Sequence, residues 1–241
     1  MFSRFRRPQT IVGYEATADD AKGRASSEVG RRFLDHKGRT IHKWVDFLDL
    51  YDRYFAPYRG TDFVFLEIGV SLGGSLELWR DYFGERATIC GIDIDPACAS
   101  RFDPPNIVRI GSQDDPSFLA DVVNEIGRPH IVLDDGSHVA RHQRVSFATL
   151  WPKLMTGGIY AIEDMHTAYW KDFGGGYRKN GSAVELVKEL IDAQHGWWHD
   201  RTPLVPPTEV GGIHQHESIV FIEKIEKARP AHFKVGREYP L

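Results

Sequence analysis

Only two cysteines, Cys90 and Cys98, occur among the 241 residues. Two thiols make no disulfide framework, so a reducing, cytoplasmic setting is expected. Long apolar runs are absent as well. None approaches the roughly 20 residues needed to cross a bilayer, so no membrane span is predicted. Arg4, Arg6 and Arg7 are followed by no apolar stretch, and no secretory signal is expected. Positive charge is not in excess: the net charge of -4 gives no reason to expect a nucleic-acid surface. Internal repeats and low-complexity blocks are missing too. With 41% hydrophobic and 27% charged residues, the chain has the balance of an ordinary globular domain and enough length to bury a core.

Periodicity then divides the chain. Residues 1–35 carry little and read as an arm. Ile41, Trp44, Val45, Leu48, Tyr51 and Phe55 recur at helical spacing, which predicts an amphipathic helix over 40–56, ended by Pro57 and Gly60. Phe63 to Val70 is an apolar run with one charge, Glu67, as in a strand buried on both faces. Further strands are expected at 87–93, 106–110, 130–134 and 158–163, with a late one at 218–225 beside the fifth. Helices are expected after Gly74, at 116–126, at 140–154 and at 182–194, the last opened by a Ser182/Glu185 capping box. The alternation predicts an α/β fold: a mostly parallel sheet with right-handed crossovers, helices on both faces and a late antiparallel strand. The expected division is 1–60, an arm and helix, and 61–241, the main domain. The irregular stretch from Met165 to Asn180 has the length of a lid or binding loop.

In such a sheet, ligands bind beyond the carboxyl ends of the strands. Phe65-Leu-Glu-Ile-Gly-Val-Ser-Leu-Gly-Gly-Ser75 reads as a strand and a nucleotide-binding turn. Gly69, Gly73 and Gly74 allow close backbone approach. Asp93, 24 residues beyond Gly69, ends the second strand, where an acid accepts ribose hydroxyls. The turn lacks the G-x-G-x-x-G spacing that pyrophosphate needs. Together with the acid at Glu67, that points to S-adenosylmethionine, a ligand with an ammonium group and no phosphate. Adenine would lie near Gly111 to Asp115, where Ser112, Gln113 or Asp114 is the candidate partner.

Chemistry is expected at the ends of strands four and five. Neighbouring strands lie about 4.8 Å apart, so Asp135, Glu163 and Asp164 converge and can offer three oxygens to one hard cation. Mg²⁺ suits such a set, and no cysteine lies near enough to suggest structural zinc. His138 follows closely, and an imidazole exchanges protons near neutral pH. A metal that acidifies a hydroxyl, beside a base that removes its proton, suits O-methylation.

The segments Phe65 to Leu76, Gly91-Ile-Asp-Ile-Asp95, Val132-Leu-Asp-Asp-Gly-Ser-His138 and Ala161 to Trp170 resemble bacterial Mg-dependent sugar O-methyltransferases, the family of the mycinamicin VI 2''-O-methyltransferase and the rhamnosyl O-methyltransferases. Cephalosporin hydroxylase-like proteins are more distant. The resemblance spans roughly 36–225. It implies a class I methyltransferase fold with a Rossmann-like sheet, S-adenosylmethionine and Mg²⁺. By motif position it implies metal ligation by Asp135, Glu163 and Asp164, a general base at His138, and cofactor binding by Glu67, Gly69, Ser75, Asp93, Gln113 and Asp134. It also implies a homo-oligomer acting on a sugar hydroxyl of a glycosylated natural product or glycolipid. Tyr169, Trp170 and Tyr177 sit in a Gly-rich segment that looks like a substrate loop. The competing readings are a non-catalytic S-adenosylmethionine-binding subunit, an O-methyltransferase of a phenol or catechol, and an oxidoreductase. The last lacks a nicotinamide fingerprint and a two-His iron site.

Overall fold

The computed structural model describes residues 16–100 and 104–236. The basic cluster Arg4, Arg6 and Arg7 lies outside them. Strands β1 (Val64–Ile68), β2 (Thr88–Asp93), β3 (Ile107–Ile110), β4 (Ile131–Asp134) and β5 (Ile159–Ile162) form a parallel array. β7 (Ile219–Lys224) adds antiparallel to β5, and β6 (Val210–His216) adds antiparallel to β7. The order across the sheet is β3-β2-β1-β4-β5-β7-β6. Strand order therefore reverses between β1 and β4, where a crevice opens at their carboxyl ends.

Short apolar strands hold this sheet because both faces are covered. On one face, α2 (Glu28–Asp35), α3 (Val45–Phe55) and α4 (Gly74–Phe83) pack Val29, Leu48, Tyr51, Phe55, Trp79 and Phe83 against Phe65 and Ile89. Phe55 touches the rings of Tyr51, Trp79 and Phe65, all fully buried. On the other face, α5 (Pro116–Ile126), α6 (Ala140–Leu150) and α7 (Ala183–Gln194) pack against Leu66, Val132 and Tyr160. Caps fix the helix starts. Asp115 accepts from Ser117 N and Phe118 N ahead of Pro116. Ser182 accepts from Glu185 N, while the Glu185 carboxylate pairs with Lys188 instead of completing the expected box.

The strands and helices from 63 onward lie where the periodicity predicts them. Three differences stand out. α1 (Ala18–Arg24) and α2 form within the stretch read as an arm. They are held by the Thr17/Asp20 capping box and by Ser27 accepting from Gly30 N. The helix expected over 40–56 starts only at Val45, and residues 36–44 form a non-helical strap with a bend at Gly38 and Arg39. β6 was not foreseen. No helix among the described residues is long and apolar enough to cross a membrane.

Candidate active site

The turn after β1 is built by a carboxylate and by glycine. Asp93 accepts from the backbone N–H of Val70 and Ser71 at 2.9 Å each, and from Asp95 N at 2.9 Å. The Cys98 thiol is a fourth donor to the same carboxylate. These backbone bonds outweigh burial and keep the acid below its ordinary carboxylate range. Gly69 adopts φ +98°, and a Cβ there would lie 2.1 Å from the Asp135 carbonyl oxygen. The nucleotide turn and the acid-bearing end of β4 are thus in direct backbone contact. Asp135 N also donates to Ile68 O at 2.9 Å.

Glu67 is fully buried beneath this turn, with Ser75 Oγ 2.5 Å from each of its oxygens. Burial pushes its carboxyl up to about 7, against the pull of Lys43 and Ser75. Asp134 is likewise fully buried. Its oxygens accept from Gln113 Nε2 at 3.0 Å, Ser146 Oγ at 2.7 Å and Tyr160 Oη at 3.4 Å. Gln113 Oε1 accepts from Ser137 N at 2.7 Å. Asp134 and Gln113 therefore brace the turn that carries Asp135 and His138 from below.

The paired register places Asp134 level with Ile162, so Asp135 and Glu163 leave the sheet side by side. Asp135, His138 and Asp164 each bring a ligand atom into a group lying within 4.8 Å of one another. His138 Nε2 lies 3.4 Å from Asp164 Oδ2 and 3.9 Å from Asp135 Oδ1, and its buried Nδ1 has no partner. His138 (φ +55°) and Asp164 (φ +52°) both hold left-handed backbone. Such conformations cost about 1–3 kcal/mol each and persist where the surroundings over-determine them.

Glu163 stands apart from that group because the strap holds it. Lys43 Nζ lies 2.5 Å from Asp135 Oδ2, 2.8 Å from Glu163 Oε1 and 3.7 Å from Glu67 Oε1, with its side chain 2% exposed. Tyr51 Oη donates to the same Glu163 oxygen at 2.6 Å. Trp44 Nε1 donates to Asp164 Oδ1 at 2.7 Å. Burial opposes the Lys43 charge, but Asp135, Glu163 and Glu67 outweigh it and hold the ammonium above its ordinary value. Three acids around one ammonium leave excess negative charge. Burial and then the Asp135 charge push the Glu163 carboxyl above its ordinary range, against the pull of Lys43.

These groups enclose a pocket of about 260 Å³, lined by strap residues Thr40 to Trp44, the turn from Gly69 to Ser75, and Asp135, His138, Glu163 and Asp164. An aromatic wall runs beside it: His138 to Phe173 (6.4 Å), Phe173 to Trp170 (5.8 Å), Trp170 to His166 (4.8 Å) and His166 to Trp44 (5.7 Å). Of the three expected substrate-loop aromatics, Trp170 belongs to this wall. Tyr169 is 51% exposed, and Tyr177, 77% exposed, stacks on the Arg178 guanidinium. Lys43, Tyr51, Trp44 and Phe173 were not picked out by sequence reasoning. A lone lysine next to a tryptophan ahead of a helix carries no motif.

No family model matches the sequence. The chain is 39% identical over 213 residues to the mycinamicin VI 2''-O-methyltransferase of Micromonospora griseorubida, covering 82% of this chain and 52% of that protein. It is 36% identical over 203 residues to the 8-demethyl-8-alpha-L-rhamnosyl tetracenomycin-C 2'-O-methyltransferase of Streptomyces olivaceus, covering 78% and 52%. Among solved structures, the MycE methyltransferase from the mycinamycin biosynthetic pathway, in complex with Mg, SAH and mycinamycin VI, matches with a TM-score of 0.72 at 36% identity. That match covers 83% of this chain and 53% of that one. The chain spans about half the length of the curated relatives it matches. Sheet order, the turn after β1 and this match define a class I methyltransferase fold. Within that class, the chain belongs to the family of sugar O-methyltransferases from antibiotic pathways.

Proposed function

We propose that the chain is an S-adenosylmethionine- and Mg²⁺-dependent O-methyltransferase acting on a sugar hydroxyl of a glycosylated natural product or glycolipid. The observation that carries this reading is the meeting of Asp135, His138 and Asp164 in one pocket with the turn from Gly69 to Ser75. The names of its relatives, and the Mg and SAH in the MycE complex, support it.

The residues present fit both groups. The donor set is rich in carboxylate oxygen, and the cluster already accommodates one cation, the Lys43 ammonium. Asp135, Glu163 and Asp164 would hold Mg²⁺, whose Lewis acidity lowers the pKa of a bound hydroxyl. Glu67, Gly69, Ser75, Asp93 and Gln113 would receive S-adenosylmethionine, with Asp134 acting from beneath. Asp93, at the carboxyl end of β2, would face the ribose hydroxyls. His138, facing the acid pair through Nε2, would accept the proton of the substrate hydroxyl. The oxygen forms a bond to the methyl carbon as the sulfonium S–CH₃ bond breaks, which leaves a neutral thioether. Trp170 and Phe173 would offer apolar faces to the sugar, and Tyr169 and Tyr177 lie at the outer rim. A homo-oligomer in a reducing cytoplasm completes the proposal.

The test is transfer of a labelled methyl group from S-adenosylmethionine to a panel of glycosides, read by mass spectrometry. Transfer is expected, with loss on thorough chelation and recovery with Mg²⁺. Activity that survives chelation would remove the metal from the mechanism. His138→Ala is expected to abolish transfer while donor affinity stays within about twofold. Normal turnover of that variant would remove His138 as the base.

A further inference from the structure

The strap carries more than a wall of the pocket. Lys43 reaches three strands at once, through Glu67 near the end of β1, Asp135 after β4 and Glu163 after β5. Its ammonium lies at hydrogen-bond distance from two of the three carboxylates assigned to the metal, and the third, Asp164, is held by the adjacent Trp44. The strap therefore engages every carboxylate of the assigned set. A divalent cation cannot share this space with an ammonium: both need the same oxygens, and they repel one another at a few ångströms in a buried setting.

We propose that Lys43 is a tethered counter-ion, whose ammonium occupies the seat of the divalent cation between Asp135 and Glu163 and has to withdraw for that ion to bind. The proposal rests on the reading above that these acids hold a metal. It accounts for two features. Glu163 lies outside the group formed by Asp135, His138 and Asp164 because Lys43 and Tyr51 hold it, and release of Lys43 frees it to join. Residues 40–44, which share the helical period of α3, stay outside the helix, and the strap they form carries Lys43 inward to the three acids. Thr40 to Trp44 also line the pocket beside the turn from Gly69 to Ser75, so withdrawal of Lys43 reshapes the wall next to the methyl donor.

The experiment measures Mn²⁺ binding by isothermal titration in the full chain and its Lys43→Met and Lys43→Arg variants. Lys43→Met is expected to bind Mn²⁺ about tenfold tighter or more than the wild type, and Lys43→Arg, which keeps the charge, to bind no tighter. Equal or weaker binding by Lys43→Met, with clear binding by the wild type, would overturn the proposal while leaving the metal reading intact. Binding by none of the three would remove both. A second measurement uses the wild type alone, in case Lys43→Met fails to fold. Acylation of Lys43 by an amine-reactive ester, followed by peptide mass spectrometry, is expected to rise several-fold when Mn²⁺ is added. The exposed Lys188 serves as internal standard. Acylation that is unchanged or reduced would mean that Lys43 stays seated when the metal binds, and the proposal would fall.

Discussion

Gly69→Ala puts the central geometry to the test, because Gly69 is where the nucleotide turn touches the acid-bearing turn. A methyl group there would lie 2.1 Å from the Asp135 carbonyl oxygen, whereas real Cβ contacts essentially never fall below 3.0 Å, so the two turns must part by about 0.9 Å. The obstacle is backbone and cannot swing aside. Holding φ +98° with a side chain adds a conformational cost of about 1–3 kcal/mol. With a further contribution from the forced opening, the melting temperature is expected to fall by about 4–10 °C, at roughly 2–4 °C per kcal/mol for a chain of this size. A displacement near 1 Å between donor turn and acid cluster should cost about 100-fold in methyl-transfer rate. Gly84→Ala is the control. Gly84 has φ +88° but nothing within 4 Å of its would-be Cβ. It should lose stability through the conformational cost alone and keep its rate within about twofold. Differential scanning fluorimetry and single-turnover rates with labelled donor read both effects. If Gly69→Ala and Gly84→Ala lost similar stability and both kept wild-type rates, the contact between the turns would not be what places the acids.

Two further outcomes concern stability. Phe55→Ala removes the ring that joins Tyr51, Trp79 and Phe65, and should lower the unfolding free energy by about 3–5 kcal/mol in urea titration; a loss below about 1 kcal/mol would mean that the aromatic layer readily closes the gap. His130 Nδ1 accepts from Val64 N at 3.2 Å, and burial, with help from Arg128, holds the ring below its ordinary value. A depressed base binds fewer protons folded than unfolded, so its contribution is complete above about 6.5 and is lost as pH falls below that. Melting of the wild type should therefore decline more steeply from pH 7.5 to 5.5 than that of His130→Asn, and parallel declines would refute the assignment.

The sequence was most readable where burial is two-sided. β1, β2, β4 and β5 are short apolar runs that end in an acid or a glycine, and that pattern survives without any knowledge of neighbours. β6 escaped notice because Val210-Gly-Gly-Ile-His-Gln-His216 lies at the edge of the sheet, where one side meets solvent and polar residues are tolerated. α2 buries only Val29 and Gly30, too little to show as periodicity, and depends on its cap and on Glu28 pairing with Arg31 and Arg32. At the candidate site, Asp135, His138 and Asp164 were legible because strand spacing brings them together. Lys43 was not, because its role depends on a chain reversal 92 residues away from Asp135. Ile41 and Trp44 fit the helical period by coincidence, which hid the strap. The motif positions of Asp134 and Gln113 imply cofactor binding; their burial adds an internal bracing role that spacing alone does not reveal.

The level pairing of Asp134 with Ile162 also governs how this chain tolerates being rewritten. Side chains alternate between the faces of a strand, so a slip of a single residue in β5 would turn Glu163 away from Asp135. The turn that leads into β5 belongs to the same register. Met155 N donates to Pro129 O at 2.8 Å, just ahead of β4, and Gly157 N donates to Lys224 O at 2.7 Å in β7. A residue added near Thr156 would therefore pull on both neighbours of β5 at once, and a library that varies chain length has to leave 129–134 and 155–162 untouched to keep the reaction centre.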